Sequence, residues 1–291
     1  MQTLDNYRPL QHILGSWQML MSSDRRNSWL AVVHTNARWN EFRRIIGAVL
    51  LQDMRTRFGS SQLGYLIAIA WPLSHMAVIT ISYYLKTQIA PVGDSPTMFI
   101  STGVVPYILC LYPARLMAIA ITQNRQLLAI PILKPIHLII SRSILEMLNS
   151  IIVLFLFLFT LHLLDVAIEP LDYVEASKAI AAAIFLGIGL GFLNVVMCQI
   201  FGRFFLIFFI ITMITLYIFS GVYIPTWQLP PVVREYMAYN PILNIVEWLR
   251  SAYYASYDDE AINKTLVLEV ASVSLVLGLV GERFLRGKFF A

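Results

Sequence analysis

The stretch MAYNPILNIVEWLRSAYY, Met237 to Tyr254, decides how this chain is read. It opens with a strong helix signal. Asn240 is a capping residue, Pro241 suits the first helical position, and apolar side chains follow at Ile242, Ile245, Val246, Leu249 and Tyr253. Asn244, Glu247 and Arg250 make it too polar for a membrane span. A helix over 241–255 is also too short, at roughly 22 Å against a hydrocarbon core of about 30 Å. Yet it lies between two segments apolar enough to cross. Such irregular backbone is tolerated at membrane depth only where protein or a water-filled cavity surrounds it.

The rest of the chain fits that setting. Of 291 residues, 58% are hydrophobic and 13% charged, with a mean hydropathy of +0.69. Soluble domains carry roughly 25% charged residues, so the composition describes an all-α integral membrane protein. Six spans are predicted, at about 63–85, 97–120, 143–164, 179–201, 204–224 and 265–282. Only Gly202 and Arg203 separate the fourth from the fifth, which implies a tight helical hairpin. Cys110 and Cys198 fall inside apolar stretches and read as buried and inert. The first apolar run is short and broken by Asp24, Arg25 and Arg26, so no cleavable signal peptide is expected.

Charge placement sets the orientation. Arg8, Arg25, Arg26, Arg38, Arg43, Arg44, Arg55 and Arg57 precede the first span. Arg125 and Lys134 lie in the second loop, Arg203 in the fourth, and Arg283, Arg286 and Lys288 in the tail. With six spans these fall on one side. Asp165, Glu169, Asp172, Glu175, Asp258, Asp259 and Glu260 fall on the other. Both termini are therefore expected in the cytoplasm, and residues 225–264 outside. Residues 39–58 form an amphipathic segment, with Trp39, Phe42, Ile45, Ile46, Val49 and Leu50 on one face. The stripe breaks where Asp53 and Arg57 turn onto it as an i,i+4 pair. This segment is expected to lie at the cytoplasmic surface, with Arg43, Arg44, Arg55 and Arg57 near anionic lipid. Residues 1–38 have no assigned role, and 59–291 form the transmembrane domain.

Several chemistries are missing. GERFLRGKF, Gly281 to Phe289, has five residues between its glycines where a Walker A loop needs four, and Phe where Ser or Thr binds magnesium. His12, His34, His75, His137 and His162 lack metal spacing, and no catalytic constellation stands out. No nucleic-acid partner is expected. The chain is expected to move something without reacting with it, on energy supplied by another protein.

Three regions carry functional candidates. In the outward segment, Pro225 ends the fifth span, Pro230 and Pro231 open a short helix, and Asn240–Pro241 break it and open a second. This predicts re-entrant helices over about 230–255. Their aromatics, Tyr223, Trp227, Tyr236, Tyr239, Trp248, Tyr253 and Tyr254, suit either a surface on which a glycan slides or an ordinary interfacial belt. In the cytoplasmic loop ITQNRQLLAIPILKPIHL, Ile121 to Leu138, the side chains of Leu127, Leu128, Ile130 and Ile132 are too apolar for a free loop. They suit a partner's cleft or the lipid surface. Within the spans, Arg142 and Glu146 read as a structural i,i+4 pair. Arg115 and Glu269 sit deeper, and Arg115 suits either a substrate anion or snorkelling. Gly187 and Gly191 form a GxxxG step.

In this order, three stretches resemble the membrane subunit of ABC-2 type exporters, most closely the KpsM-like permeases of capsular polysaccharide export. They are MRTRFGSSQLGYLIAIAWPL (Met54 to Leu73), NRQLLAIPILKPIHLIISRSILE (Asn124 to Glu146) and SGVYIPTWQLPP…YNPILNIVEWLR (Ser220 to Arg250). The resemblance implies a homodimer with a translocation path at its interface. It implies cytoplasmic ATPase subunits docked around Asn124, Arg125, Leu127, Leu128, Ile130, Pro131 and Lys134. ATP and magnesium would be bound by those subunits, and none by this chain. The cargo would be a lipid-linked polysaccharide leaving the bacterial inner membrane, taken over by periplasmic and outer-membrane export proteins. The short outward helices would then be a gate. Where the family more often carries an acid, this chain has Trp71 before Pro72, which suggests an aromatic contact with the polymer. Its N-terminal 38 residues are also longer than usual.

Three other functions compete. A permease of the same superfamily for O-antigen, teichoic acid or a small lipophilic substrate would share the fold. A membrane-bound glycan-modifying enzyme would need catalytic residues on an outward loop. Glu235, Glu247 and Arg250 are the candidates there, and helical surface charge also explains them. An ion-coupled transporter would show paired broken spans in two halves, and only one re-entrant segment is visible.

Overall fold

A computed structural model describes residues 39–55, 62–87, 89–257 and 262–290. Residues 1–38, Arg57 and Asp258, Asp259 and Glu260, all of which figured in the sequence reading, lie outside the described residues. The chain divides into two compact units, Met1–Ala48 and Val49–Ala291. Helix α1 covers 39–55. Within the first unit, Trp39 and Phe42 stack on it with ring centroids 5.8 Å apart.

Among the described residues of the second unit every regular element is a helix. Its elements are α2 (Gln62–Lys86), α3 (Pro96–Met117), α4 (Ala120–Gln123), a 3-10 turn (Arg125–Ala129), α5 (Pro135–Leu163), α6 (Tyr173–Phe201), α7 (Arg203–Ile218), a second 3-10 turn (Thr226–Gln228), α8 (Pro231–Met237), α9 (Pro241–Ser251) and α10 (Lys264–Phe290). Five of these are long and apolar enough to cross a membrane: Tyr65–Lys86, Pro96–Met117, Pro135–Leu163, Tyr173–Phe201 and Lys264–Gly287.

The segment expected as the fifth span is shorter than read. Helix α7 has 16 residues, about 24 Å. The chain leaves it at Phe219–Ser220 and turns at Gly221, whose φ of +70° suits glycine. The second short helix also stops early. α9 has 11 residues, Pro241–Ser251, instead of running to 255. The α6–α7 hairpin is as tight as expected. Gly202 alone separates the helices, at φ +67° and ψ −162°, a conformation confined essentially to glycine.

α3 is the buried centre, with nearly every residue from Met98 to Met117 inside. α6 is sandwiched between α3 and α10, and its glycines make that possible. A Cβ on Gly187 would meet the Cys110 carbonyl oxygen at 2.6 Å, and one on Gly191 the Met117 sulfur at 2.6 Å. On another face, a Cβ on Gly189 would collide with the Ala271 carbonyl of α10. α10 reciprocates at Gly281, where a Cβ would meet Val196 at 2.7 Å. Small residues let backbones approach where no aqueous hydrophobic effect drives packing. The GxxxG step thus serves one contact, and the intervening Gly189 serves a second.

These contacts fix directions. Cys110 and Met117 pair with Gly187 and Gly191, and Ala271 and Gly281 with Gly189 and Val196, so α3, α6 and α10 run the same way. Tyr83 meets Phe99 and His75 meets Tyr112, so α2 runs opposite to α3. One end of the unit therefore gathers the α3–α5 connection, and the other gathers the start of α6, the start of α10 and α9.

Candidate functional site

At the end where α5 begins, Arg142 is completely buried. Its Nη1 donates to both carboxylate oxygens of Asp53, at 3.0 and 2.8 Å. Its Nη2 donates to the Leu116 carbonyl and to Gln123 Oε1, each at 3.1 Å. Its Nε lies 2.9 Å from Glu146 Oε1. Asn124 Nδ2 in turn donates to Asp53 Oδ1 at 2.7 Å. Taking such charges out of water costs several kcal/mol per ion unless geometry and hydrogen bonds are nearly complete. Here both terminal nitrogens donate hydrogen bonds, and Nε makes an ion-pair contact with Glu146. The expected Arg142–Glu146 pair is present, but as one side of a larger cluster. Asp53 turns to Arg142.

That cluster anchors the loop singled out for partner docking. Asn124 and Leu128 are buried and Leu127 is half-buried. Arg125, Ile130, Pro131, Ile132 and Lys134 are exposed. The loop thus has a rooted base and an exposed apolar tip at Ile130–Ile132. On α1, Arg43, Arg44 and Arg55 are exposed.

At the opposite end, the Asn-Pro break works as its sequence implies. Asn240 Oδ1 accepts from the Ile242 amide at 2.9 Å and caps α9. Asn240 Nδ2 donates to the Leu216 and Phe219 carbonyls at 2.7 and 2.8 Å. One side chain therefore starts α9 and satisfies carbonyls at the end of α7, groups that a helix otherwise leaves orphaned. Asn244 donates to the Ala238 carbonyl at 2.8 Å and accepts from the Asn263 amide at 2.8 Å.

The polar residues that disqualified this segment as a span face inward. Arg250 is fully buried. It donates to the Gly221, Val222 and Phe99 carbonyls at 2.6, 2.7 and 3.3 Å and to Tyr257 Oη at 3.2 Å, and it stacks on the Phe99 ring at 3.9 Å. Glu247 is also buried and accepts a hydrogen bond from the Thr226 hydroxyl. The reading of Glu247 and Arg250 as helical surface charge is therefore corrected. Both hold the connection after α7 against α9. Glu235, on α8, is exposed. Arg115 and Glu269 are exposed as well.

The predicted aromatic path divides. Tyr236 and Tyr239 stand exposed on and just after α8, and Trp71 is exposed on α2. Tyr223 and Trp227 are partly exposed. Tyr223 donates to Tyr217 Oη at 3.1 Å, and Trp227 meets the edge of Tyr257 at 4.7 Å. Tyr253 and Tyr254 are half-buried. Trp248 is only 5% exposed. Its Nε1 donates to Glu175 Oε2 at 2.8 Å, and Lys264 Nζ lies over its ring at 5.4 Å while donating to the same Glu175 oxygen at 3.1 Å. The eight residues do not share one surface. Asp53, Glu175 and Lys264 were missed as organisers because each meets its partner across a long stretch of chain. Among the described residues no group of histidines, cysteines or carboxylates is arranged to hold a metal ion.

Two buried charged ends on an all-helical membrane protein, with paired short helices at one of them, form the arrangement to be compared. No family model matches the chain. Similarity to individual proteins is extensive. The chain is 27% identical over 235 residues to the polysialic acid transport protein KpsM of Escherichia coli, covering 80% of this chain and 90% of that protein. The chain is related to the capsule-export inner-membrane proteins. It is 26% identical over 242 residues to the capsule polysaccharide export inner-membrane protein CtrC of Neisseria meningitidis serogroup B, covering 78% of this chain and 86% of that relative. Coverage of this extent takes in most of the second unit, and the KpsM-like resemblance of the chain is borne out.

Proposed function

We propose that this chain is the permease subunit of an ATP-driven exporter that moves lipid-linked capsular polysaccharide across the bacterial inner membrane. The observation that carries the reading is the similarity to KpsM and CtrC over about four-fifths of the chain. The five long apolar helices agree with it. The short α7 acts as the sixth crossing, completed by protein-shielded backbone at its far end rather than by more helix. The α8–α9 pair is the external gate. The end bearing Arg142 faces the cytoplasm, because Arg125, Lys134, Arg203, Arg283 and Arg286 gather with it. The exposed tip at Ile130–Ile132 docks a separate ATPase subunit, which binds ATP and magnesium. The working unit is a homodimer that hands the polymer to periplasmic and outer-membrane partners.

The test is the location of capsular polymer in cells lacking this chain. Polymer retained inside with none on the surface is expected. An unchanged surface coat would overturn capsule export and direct the search to other lipid-linked cargo.

A further inference from the structure

Beside the short helices lies a cleft of about 770 Å³, within the size range of sites that hold small organic ligands. Thr226, Trp227, Arg234, Glu235, Glu247 and Tyr257 contribute to its walls. We propose that this cleft is a saccharide-binding subsite, which holds a short segment of the exported glycan as it leaves the gate.

The chemistry of the walls selects the occupant. Trp227 offers a partly exposed ring and is braced edge-on by Tyr257 at 4.7 Å. Tyr257 is itself held by Arg250 through its hydroxyl at 3.2 Å, so the aromatic wall is tied to the buried core of the gate and does not swing freely. A braced aromatic face suits the C–H face of a sugar ring. In the same lining, Glu247 is a buried carboxyl with one oxygen engaged by Thr226. Arg234 and Glu235 stand exposed on α8 at the rim. Together they offer acceptors and donors to hydroxyl edges, and the guanidinium suits an acidic substituent. A lipid tail is a poor fit, since carboxyl and guanidinium walls are costly against hydrocarbon. A lone inorganic anion would face Glu235 and Glu247 as well as Arg234. The proposal rests on the reading of the cargo as glycan. It adds a definite stationary site, distinct from a diffuse track along the aromatics.

The experiment uses the purified full chain in lipid nanodiscs and short oligosaccharides released by partial hydrolysis from the capsule of the same cells. Binding is followed by saturation-transfer NMR and titration. The unaltered chain is expected to bind. Trp227→Ala and, separately, Arg234→Ala on the exposed face of α8 are expected to weaken binding about tenfold or more, with Lys178→Ala, outside the cleft, as the reference. Because Arg234 is exposed, its variant keeps the test valid should Trp227→Ala fold poorly. Equal affinity in both cleft variants, or no binding by the unaltered chain, would overturn the subsite. Failure of the capsule reading shows separately, as an intact surface coat in cells lacking the chain. Loss of the coat in cells lacking the chain, together with no oligosaccharide binding by the purified unaltered chain, sinks the cleft alone.

Discussion

Arg142 of α5 and Asp53 of α1 meet at 2.8 Å in a fully buried ion pair, across 89 residues of chain. Glu146 completes the pair on one side, and Asn124 ties Asp53 to the 124–134 loop on the other. Gln123 and Asp53 are thus joined to α5 through one guanidinium.

Removing Arg142 leaves two carboxylates buried together without their counter-ion. Breaking such a pair by deleting one partner costs about 3–5 kcal/mol. Arg142→Ala is therefore expected to lower the thermal unfolding midpoint in detergent sharply. Lys178→Ala breaks the exposed Lys178–Glu175 bridge and is expected to change it little, since exposed bridges contribute about 0–1 kcal/mol. Equal midpoints for the two variants would show that the cluster does not hold this end together.

Asn240 separates two roles that one substitution can distinguish. Asp is as good a helix cap as Asn, so Asn240→Asp keeps the acceptor for the Ile242 amide. It loses both donors to the Leu216 and Phe219 carbonyls and sets a carboxylate against them. An unsatisfied buried polar group costs roughly 1–3 kcal/mol. Asn240→Asp is expected to be at least as destabilising as Asn240→Ala, read as the rate of limited proteolysis between α8 and α9. If Asp behaves as the unaltered protein does, capping is the only role of this side chain.

Much of this was legible in sequence, and the limit has a physical cause. The Asn-Pro start of α9, the Gly202 hairpin and the Arg142–Glu146 pair are local, so spacing alone reveals them. The inward aim of Arg250 was not legible, because a polar residue on an amphipathic helix faces water by default. Here its partners are carbonyls of Gly221 and Val222, freed by the early end of α7. That early end was hidden too. Phe219 to Tyr223 are as apolar as a span, and only the turn at Gly221 shows that the helix has stopped. The burial of Trp248 depends on Glu175, 73 residues away, and no periodicity within α9 reports it.

The glycines of α6 predict a graded response. Gly187→Leu would drive a side chain into the Cys110 backbone, and Gly189→Val would drive one into the Ala271 backbone. Neither neighbour is a flexible side-chain tip that can move aside. Gly47 has open space around it, so Gly47→Ala removes backbone freedom within a helix without a clash. Both α6 variants are expected to lose folded protein on size exclusion after extraction, and Gly47→Ala to retain it. Normal yield of both α6 variants would mean that α3, α6 and α10 have room to separate.

Orientation gives the last prediction. Arg125, Lys134, Arg203, Arg283 and Arg286 lie at the end that holds the exposed Ile130–Ile132 tip, and Tyr236 stands exposed on α8 at the other end. Both native cysteines are at least partly buried, so a background with Cys110→Ala and Cys198→Ala removes them from the readout. In that background Tyr236→Cys is expected to react with a membrane-impermeant maleimide added to cells whose outer membrane has been opened. Ile130→Cys is expected to react only after the inner membrane is also breached. The reverse pattern would invert the chain and put the short helices on the ATPase side, where they could not act as an exit gate. Labelling of both positions from outside would break the link between charge and sidedness on which the docking role of the 124–134 loop depends.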